Sequence, residues 1–147
     1  MGTATGPLHE LAYLYGVQTA YYSVLHQRRP TSVDALLIIL KALGAPLERL
    51  EDVPSALRAR RKELWQRPLE PVTVVWNGNL SSLSLRLPAS LAEVALTCHL
   101  TLENGECREQ SYLARDLKTL EIAELEGMKY EVKELRWKGI LPLGYHR

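Results

Sequence analysis

The sequence predicts an α+β protein, a small N-terminal helical unit over residues 1–67 followed by an all-β sandwich-like domain over residues 71–147. Three observations predict it. Ahead of Pro68, apolar residues recur at i, i+3, i+4 and i+7, the period of a helix face. Beyond Pro71 they alternate, with turn signals between the runs. The change falls in Arg67-Pro68-Leu69-Glu70-Pro71, where two prolines stiffen a connection of a few residues. So short a connection normally joins packed neighbours, and a helical unit of about 65 residues has only a marginal core of its own. The two halves are therefore expected to pack as one body.

The first helix is expected from about Pro7 to Tyr15. Leu8, Leu11, Ala12 and Tyr15 share one face, and Gly16 follows as a terminator. The second starts at Thr31 or Ser32, whose hydroxyls suit a cap, with Asp34 in the first turn. Leu36, Leu37, Leu40 and Leu43 form its expected buried stripe, and Gly44 and Pro46 end it. The third begins around Pro54 and runs to Trp65, with Leu57, Arg61, Leu64 and Trp65 together, so that the Arg61 stem packs beneath Trp65.

Strands are expected next. Val72–Trp76 is β-branched and ends in Asn77-Gly78, a turn pair. Leu83–Leu87 alternates and stops at Pro88. Val94–Leu102 alternates again and turns at Asn104-Gly105. Further strands are expected at Glu109–Ala114, Thr119–Glu124, Tyr130–Trp137 and Ile140–Tyr145.

Composition narrows the function classes. Hydrophobic content of 46% and charged content of 24% are those of a soluble globular protein. Net charge is +1; residues 1–70 carry nine basic and seven acidic groups, residues 71–147 nine and ten. Neither half has the basic bias of a non-specific nucleic-acid binder. No apolar run approaches the ~20 residues that span a bilayer. The start lacks the basic and apolar blocks of a signal peptide, so a cytoplasmic location is expected. Cys98 and Cys107 are too few for a disulfide framework and read as reduced thiols, although a bridge across the Asn104-Gly105 turn is conceivable.

No catalytic, metal or cofactor constellation emerges. His9, His26, His99 and His146 are dispersed, and Cys98 and His99 point to opposite faces of their strand, His99 to solvent. Glu121, Glu124, Glu126, Glu131 and Glu134 read as a solvated face, without the apolar surroundings that raise a carboxyl pKa. Aromatic rings are the better candidates for contact with a ligand. Trp76 and Trp137 are in phase with apolar neighbours and read as core. Tyr21 and Tyr22 are adjacent, so one is expected inward and the other outward, where it meets either a ligand or a neighbouring domain.

Leu11–Tyr22 also looks much like a repressor-type helix-turn-helix. There Gln18–Val24 would enter the major groove, Gln18 reading adenine and Arg28 and Arg29 gripping phosphate. Against this DNA-binding regulator stands a recognition segment without Lys or Arg and a short lead before Leu11. A shared scaffold without the shared function is the economical reading, with no nucleic acid as partner.

A run of phrases, in order, carries a different resemblance. They are Gly16-Val17-Gln18-Thr19, Gln27-Arg28-Arg29, Ala42-Leu43-Gly44-Ala45-Pro46, Ala56–Arg61 followed by Trp65, Leu69-Glu70-Pro71-Val72, and Leu141-Pro142-Leu143-Gly144-Tyr145-His146-Arg147. Their order resembles the amino-terminal region of bacterial 4-alpha-glucanotransferases (amylomaltases, glycoside hydrolase family 77). The likeness covers nearly the whole chain and is weakest over Leu91–Glu134. It implies a parent enzyme that cleaves an α-1,4-glucan bond and passes the glycosyl unit to another sugar. Its two acids belong to a catalytic barrel that would follow this region. It thus implies an accessory role here: no catalytic residue, no metal and no cofactor, with the barrel of the same polypeptide as partner. Docking on that barrel and contact with α-glucan, with Tyr21 and Tyr22 as candidates, stay open side by side.

Overall fold

The computed structural model describes residues 5–80 and 82–147. Its contacts divide the chain into two compact units, Met1–Leu64 and Trp65–Arg147.

The first unit opens with helix α1, Thr5–Leu14, which buries Leu8, Leu11 and Ala12 completely. Val17 N–H donates to Ala12 O at 2.8 Å and closes the last turn. An antiparallel hairpin follows, β1 (Ala20–Tyr22) and β2 (Arg28–Pro30), with Tyr21 opposite Arg29. The segment compared with a DNA-reading helix is therefore strand and turn. Ser23 N–H donates to Gln27 O and His26 N–H to Ser23 O, which closes the hairpin tip.

Helix α2 spans Val33–Ala42, and Ser32 caps it by accepting from Ala35 N–H at 3.3 Å. It buries Leu36 and Leu40, with Leu37 half-buried. Leu43, expected in that stripe, is 51% exposed. It sits at the C-cap, past the last helical residue, where the backbone has left the helix and the 3.6-residue period no longer aims side chains.

Helix α3, Val53–Gln66, crosses the division between the units. Just before it, the Asp52 carboxylate accepts from the N–H groups of Glu48 and Arg49 at 2.9 and 3.0 Å. These bonds favour its charged form and hold its carboxyl below the usual range. The Arg61 guanidinium pairs with Glu10. Arg60 lies over the Tyr15 ring, 4.3 Å from its centre, and donates to Leu14 O. The unit's core is Leu8, Leu11, Leu36, Leu40, Val53 and Ala56 with their neighbours.

The second unit is built from β3 (Leu83–Pro88), β4 (Ala95–Thr101), β5 (Cys107–Leu113), β6 (Lys118–Leu125) and β7 (Met128–Leu135). One antiparallel sheet has the order β3-β7-β6, the other is β4-β5. Leu85, Leu87 and Leu135 from the first sheet bury with Ala114, packed by Leu96, Cys98 and Tyr112 from the second pair. Strict alternation in β4 turns Leu96, Cys98 and Leu100 inward and Thr97, His99 and Thr101 outward. A second cluster gathers Leu80, Leu102, Trp137 and Leu141, so Trp137 is core, as its phase predicted. The tilted Trp65 ring stands 6.3 Å from that of Tyr130.

Two expected strands are absent. Residues 72–76 and 140–145 join no ladder. Gly78 O accepts from Leu141 N–H at 2.8 Å, so the arms meet at one backbone bond. β-branched composition alone did not make Val72–Trp76 a strand, because no neighbour pairs with it. Pro142, without an N–H, limits pairing on the other arm. Trp76 is consequently 81% exposed instead of core.

Candidate functional site

Three surface features stand out, each within one unit. The first is a groove of about 460 Å³ in the helical unit, lined by His9 and Tyr13 of α1, the Gly16–Thr19 connection, Ala20 of β1 and Arg28 of β2. His9 and Tyr13 lie one helical turn apart and so share an outward face. Tyr13 is 80% exposed. Among the described residues, none of the side chains of His9, Tyr13, Gln18 and Arg28 makes a hydrogen bond or ion pair.

Tyr21 and Tyr22, the sequence candidates, stand on the neighbouring hairpin. One of them was expected to pack inward, yet both are exposed, by 57% and 72%. A two-stranded ribbon offers them no second layer to pack against. Strand alternation puts Tyr22 on the same side as the groove residue Ala20. Val24 and Leu25 at the hairpin tip are exposed as well.

The second feature is a groove of about 330 Å³ in the sandwich unit, between residues 69–83, β4 and the chain's last residues. Its wall is held firmly. Glu103 N–H donates to His146 Nδ1 at 3.2 Å, and His146 Nε2 lies 2.8 Å from Pro142 O. An imidazole carrying its proton on Nε2 satisfies both contacts. Thr101 and Arg147 exchange two backbone hydrogen bonds of 2.6 and 2.8 Å. Gly144 has φ +147°, a backbone conformation that strains any residue with a Cβ, so the closing phrase suits its glycine.

The third is a band of exposed apolar side chains on the two arms that meet at Gly78 and Leu141. Val72, Val74 and Trp76 lie on one arm, Ile140, Leu143 and Tyr145 on the other. The periodicity argument missed this band by assigning both arms to strands and Trp76 to the core.

The five glutamates expected on one solvated face divide in two. Glu121, Glu124 and Glu126 are exposed, as expected, but Glu131 and Glu134 are largely covered, because β7 is the central strand of its sheet. Each has a cation: Lys133 lies 2.8 Å from Glu131, and Arg136 lies 3.0 Å from Glu134. The Arg136 hydrogen bond holds the Glu134 carboxyl below the usual range, the wrong direction for a general acid. Lys133 is buried and also donates to Thr119 Oγ1 at 2.8 Å, so the pair is satisfied and structural. Burial pushes the Cys98 thiol up, away from a nucleophilic thiolate. Both cysteines are free; the register sets Cys98 against Gln110 and Cys107 against Thr101. Among the described residues no cluster of three metal-ligating side chains occurs, and no helix is long and apolar enough to cross a membrane.

Comparison with known proteins adds two findings. Residues 68–147 match the family model described as the MalQ N-terminal beta sandwich domain. The crystal structure of amylomaltase from Corynebacterium glutamicum superposes with a TM-score of 0.72 at 27% sequence identity. That match covers 97% of this chain and 20% of the amylomaltase. No curated protein matches.

Proposed function

The chain belongs to the MalQ N-terminal beta sandwich domain family, and from that premise we propose that it is the non-catalytic accessory region of a cytoplasmic 4-α-glucanotransferase of the amylomaltase kind. One observation carries the reading. The likeness to the amylomaltase runs through 97% of this chain, helical unit included, yet leaves about four-fifths of that protein outside it. The chemistry, breaking an α-1,4 bond and passing the glycosyl unit to another sugar, then belongs to the remainder. In this chain the best-covered acids are neutralised by cations, so it supplies support and contact instead.

In this reading the chain docks on the catalytic barrel of its own polypeptide through the exposed band of Val72, Val74, Trp76, Ile140, Leu143 and Tyr145. Exposed apolar side chains gain free energy when covered, at about 25 cal/mol per Å². Contact with α-glucan belongs to the same reading, with the exposed tyrosines of the helical unit as its means.

The test compares Trp76→Ser in the 147-residue chain and in the complete polypeptide. The chain alone should lose little, within about 0.5 kcal/mol, because Trp76 is already in water. The complete polypeptide should melt earlier and release this region faster under protease. The chain alone should produce no glucose from maltotriose. Equal effects in both contexts, or a reading frame that continues into a different enzyme, would overturn the proposal.

A further inference from the structure

We propose that the groove between α1 and the β1–β2 hairpin is a binding site for α-1,4-linked glucan, separate from any catalytic centre. The inference rests on the functional reading above and deepens it by naming a place and a mode of recognition. Sugars present apolar C–H faces edged with hydroxyls that both donate and accept. A site for them needs a ring to stack on and a mixed set of polar groups, with little net charge. This groove, about 460 Å³, is of the size that takes a small ligand.

Its lining has that character. Tyr13 stands on the outward face of α1, exposed by 80%, and offers a ring face without a protein partner. His9 and the Gln18 amide supply both donors and acceptors, Thr19 adds a hydroxyl, and Arg28 adds fixed donors from the facing strand. Holding Tyr13 and Gln18 ready costs no existing bond, since neither side chain is engaged. Among the described residues, Arg28 is the one group in the lining with a permanent charge, a poor match to a phosphorylated or polyanionic ligand, which calls for several.

The hairpin lengthens the site. Tyr22 shares the Ala20 face of β1 and stays 72% exposed, so a second ring stands beyond the groove's edge. Two separated rings suit an oligomer better than a monosaccharide. The floor is fixed by the Val17–Ala12 and Thr31–Thr19 backbone bonds, 2.8 and 2.9 Å, so the site is formed before any ligand arrives. Among the described residues, the lining of the sandwich unit's groove holds no tyrosine or tryptophan to stack on.

The experiment titrates the isotope-labelled 147-residue chain with maltoheptaose, followed by NMR, with cellohexaose in parallel. Saturable shifts concentrated in residues 9–28 are expected, with millimolar or tighter affinity. Tyr13→Ala should weaken binding at least about tenfold, and Tyr13→Phe should retain it, because the ring does the stacking. Tyr13 is outside the core, so neither change threatens folding. Absence of shifts, shifts centred on other residues, equal response to cellohexaose, or a Tyr13→Ala variant that binds like the parent would each overturn the site. Such a failure with Trp76→Ser still destabilising the complete polypeptide sinks the groove alone. Binding as expected, in a reading frame that leads to another enzyme, sinks the functional reading alone.

Discussion

At the scale of single residues, close backbone approach places the firmest constraints. Gly78 has φ +68°, and a Cβ there would stand 2.0 Å from Leu141 O. Gly105 has φ +85° but nothing within 4 Å of a Cβ. Both positions carry left-handed strain for any other residue; only Gly78 adds a collision with backbone that holds a hydrogen bond. Gly105→Ala should cost about 1 kcal/mol. Gly78→Ala should cost about 3 kcal/mol or more. Urea titration of the two variants measures the difference, and equal costs would show that the arms around Gly78 and Leu141 yield easily. Gly144, at φ +147°, carries the conformational strain but meets only the movable Glu103 side chain. Sequence marks such glycines as turn formers, as Asn77-Gly78 was marked, but gives no sign of which carbonyl lies opposite.

At the scale of elements, α2 shows how sharply burial changes within one turn. Leu40 is fully buried and Leu43, three residues on, is half exposed. Leu40→Ala should cost about 2–5 kcal/mol. Leu43→Ala should stay within about 0.5 kcal/mol. Similar losses from both would mean that the C-cap packs more tightly than its exposure indicates. Long periodic segments were legible in the sequence for a physical reason: the three helices and the strands β3, β4 and β5 each cover one face more than the other, which is what a period records, whereas β6 is exposed along most of its length and the central β7 is covered on both faces. Residues 20–30 escaped because a three-residue strand has no measurable period, and a glycine turn between apolar runs serves a helix pair and a hairpin alike. Val72–Trp76 misled because β-branched composition reports a preference, whereas a strand also needs a partner. The α1–hairpin groove was illegible for another reason. It joins residues 9 and 13 of α1 with residues 18 and 28, three places in the chain that only the fold brings together.

At the scale of the molecule, the expectation that both halves behave as one body rests on the short, proline-stiffened connection and on a helical unit with only a marginal core of its own. Helix α3 runs unbroken through the Leu64–Trp65 division, and fraying it there breaks its hydrogen-bond ladder. A single cooperative urea transition is expected, with Trp65→Ala lowering the stability of the whole. Two transitions, with the second unit indifferent to Trp65→Ala, would establish independent units. The three tryptophans also make the chain its own optical instrument. Trp137 is 6% exposed, Trp65 is half-buried, and Trp76 stands 81% in water. Red-edge emission and collisional quenching by iodide or acrylamide therefore report chiefly on Trp76, without any label. Whatever comes to cover the band that holds this indole will shift its emission to the blue and shield it from quencher. A fluorimeter can thus register, in real time, when that surface finds its counterpart.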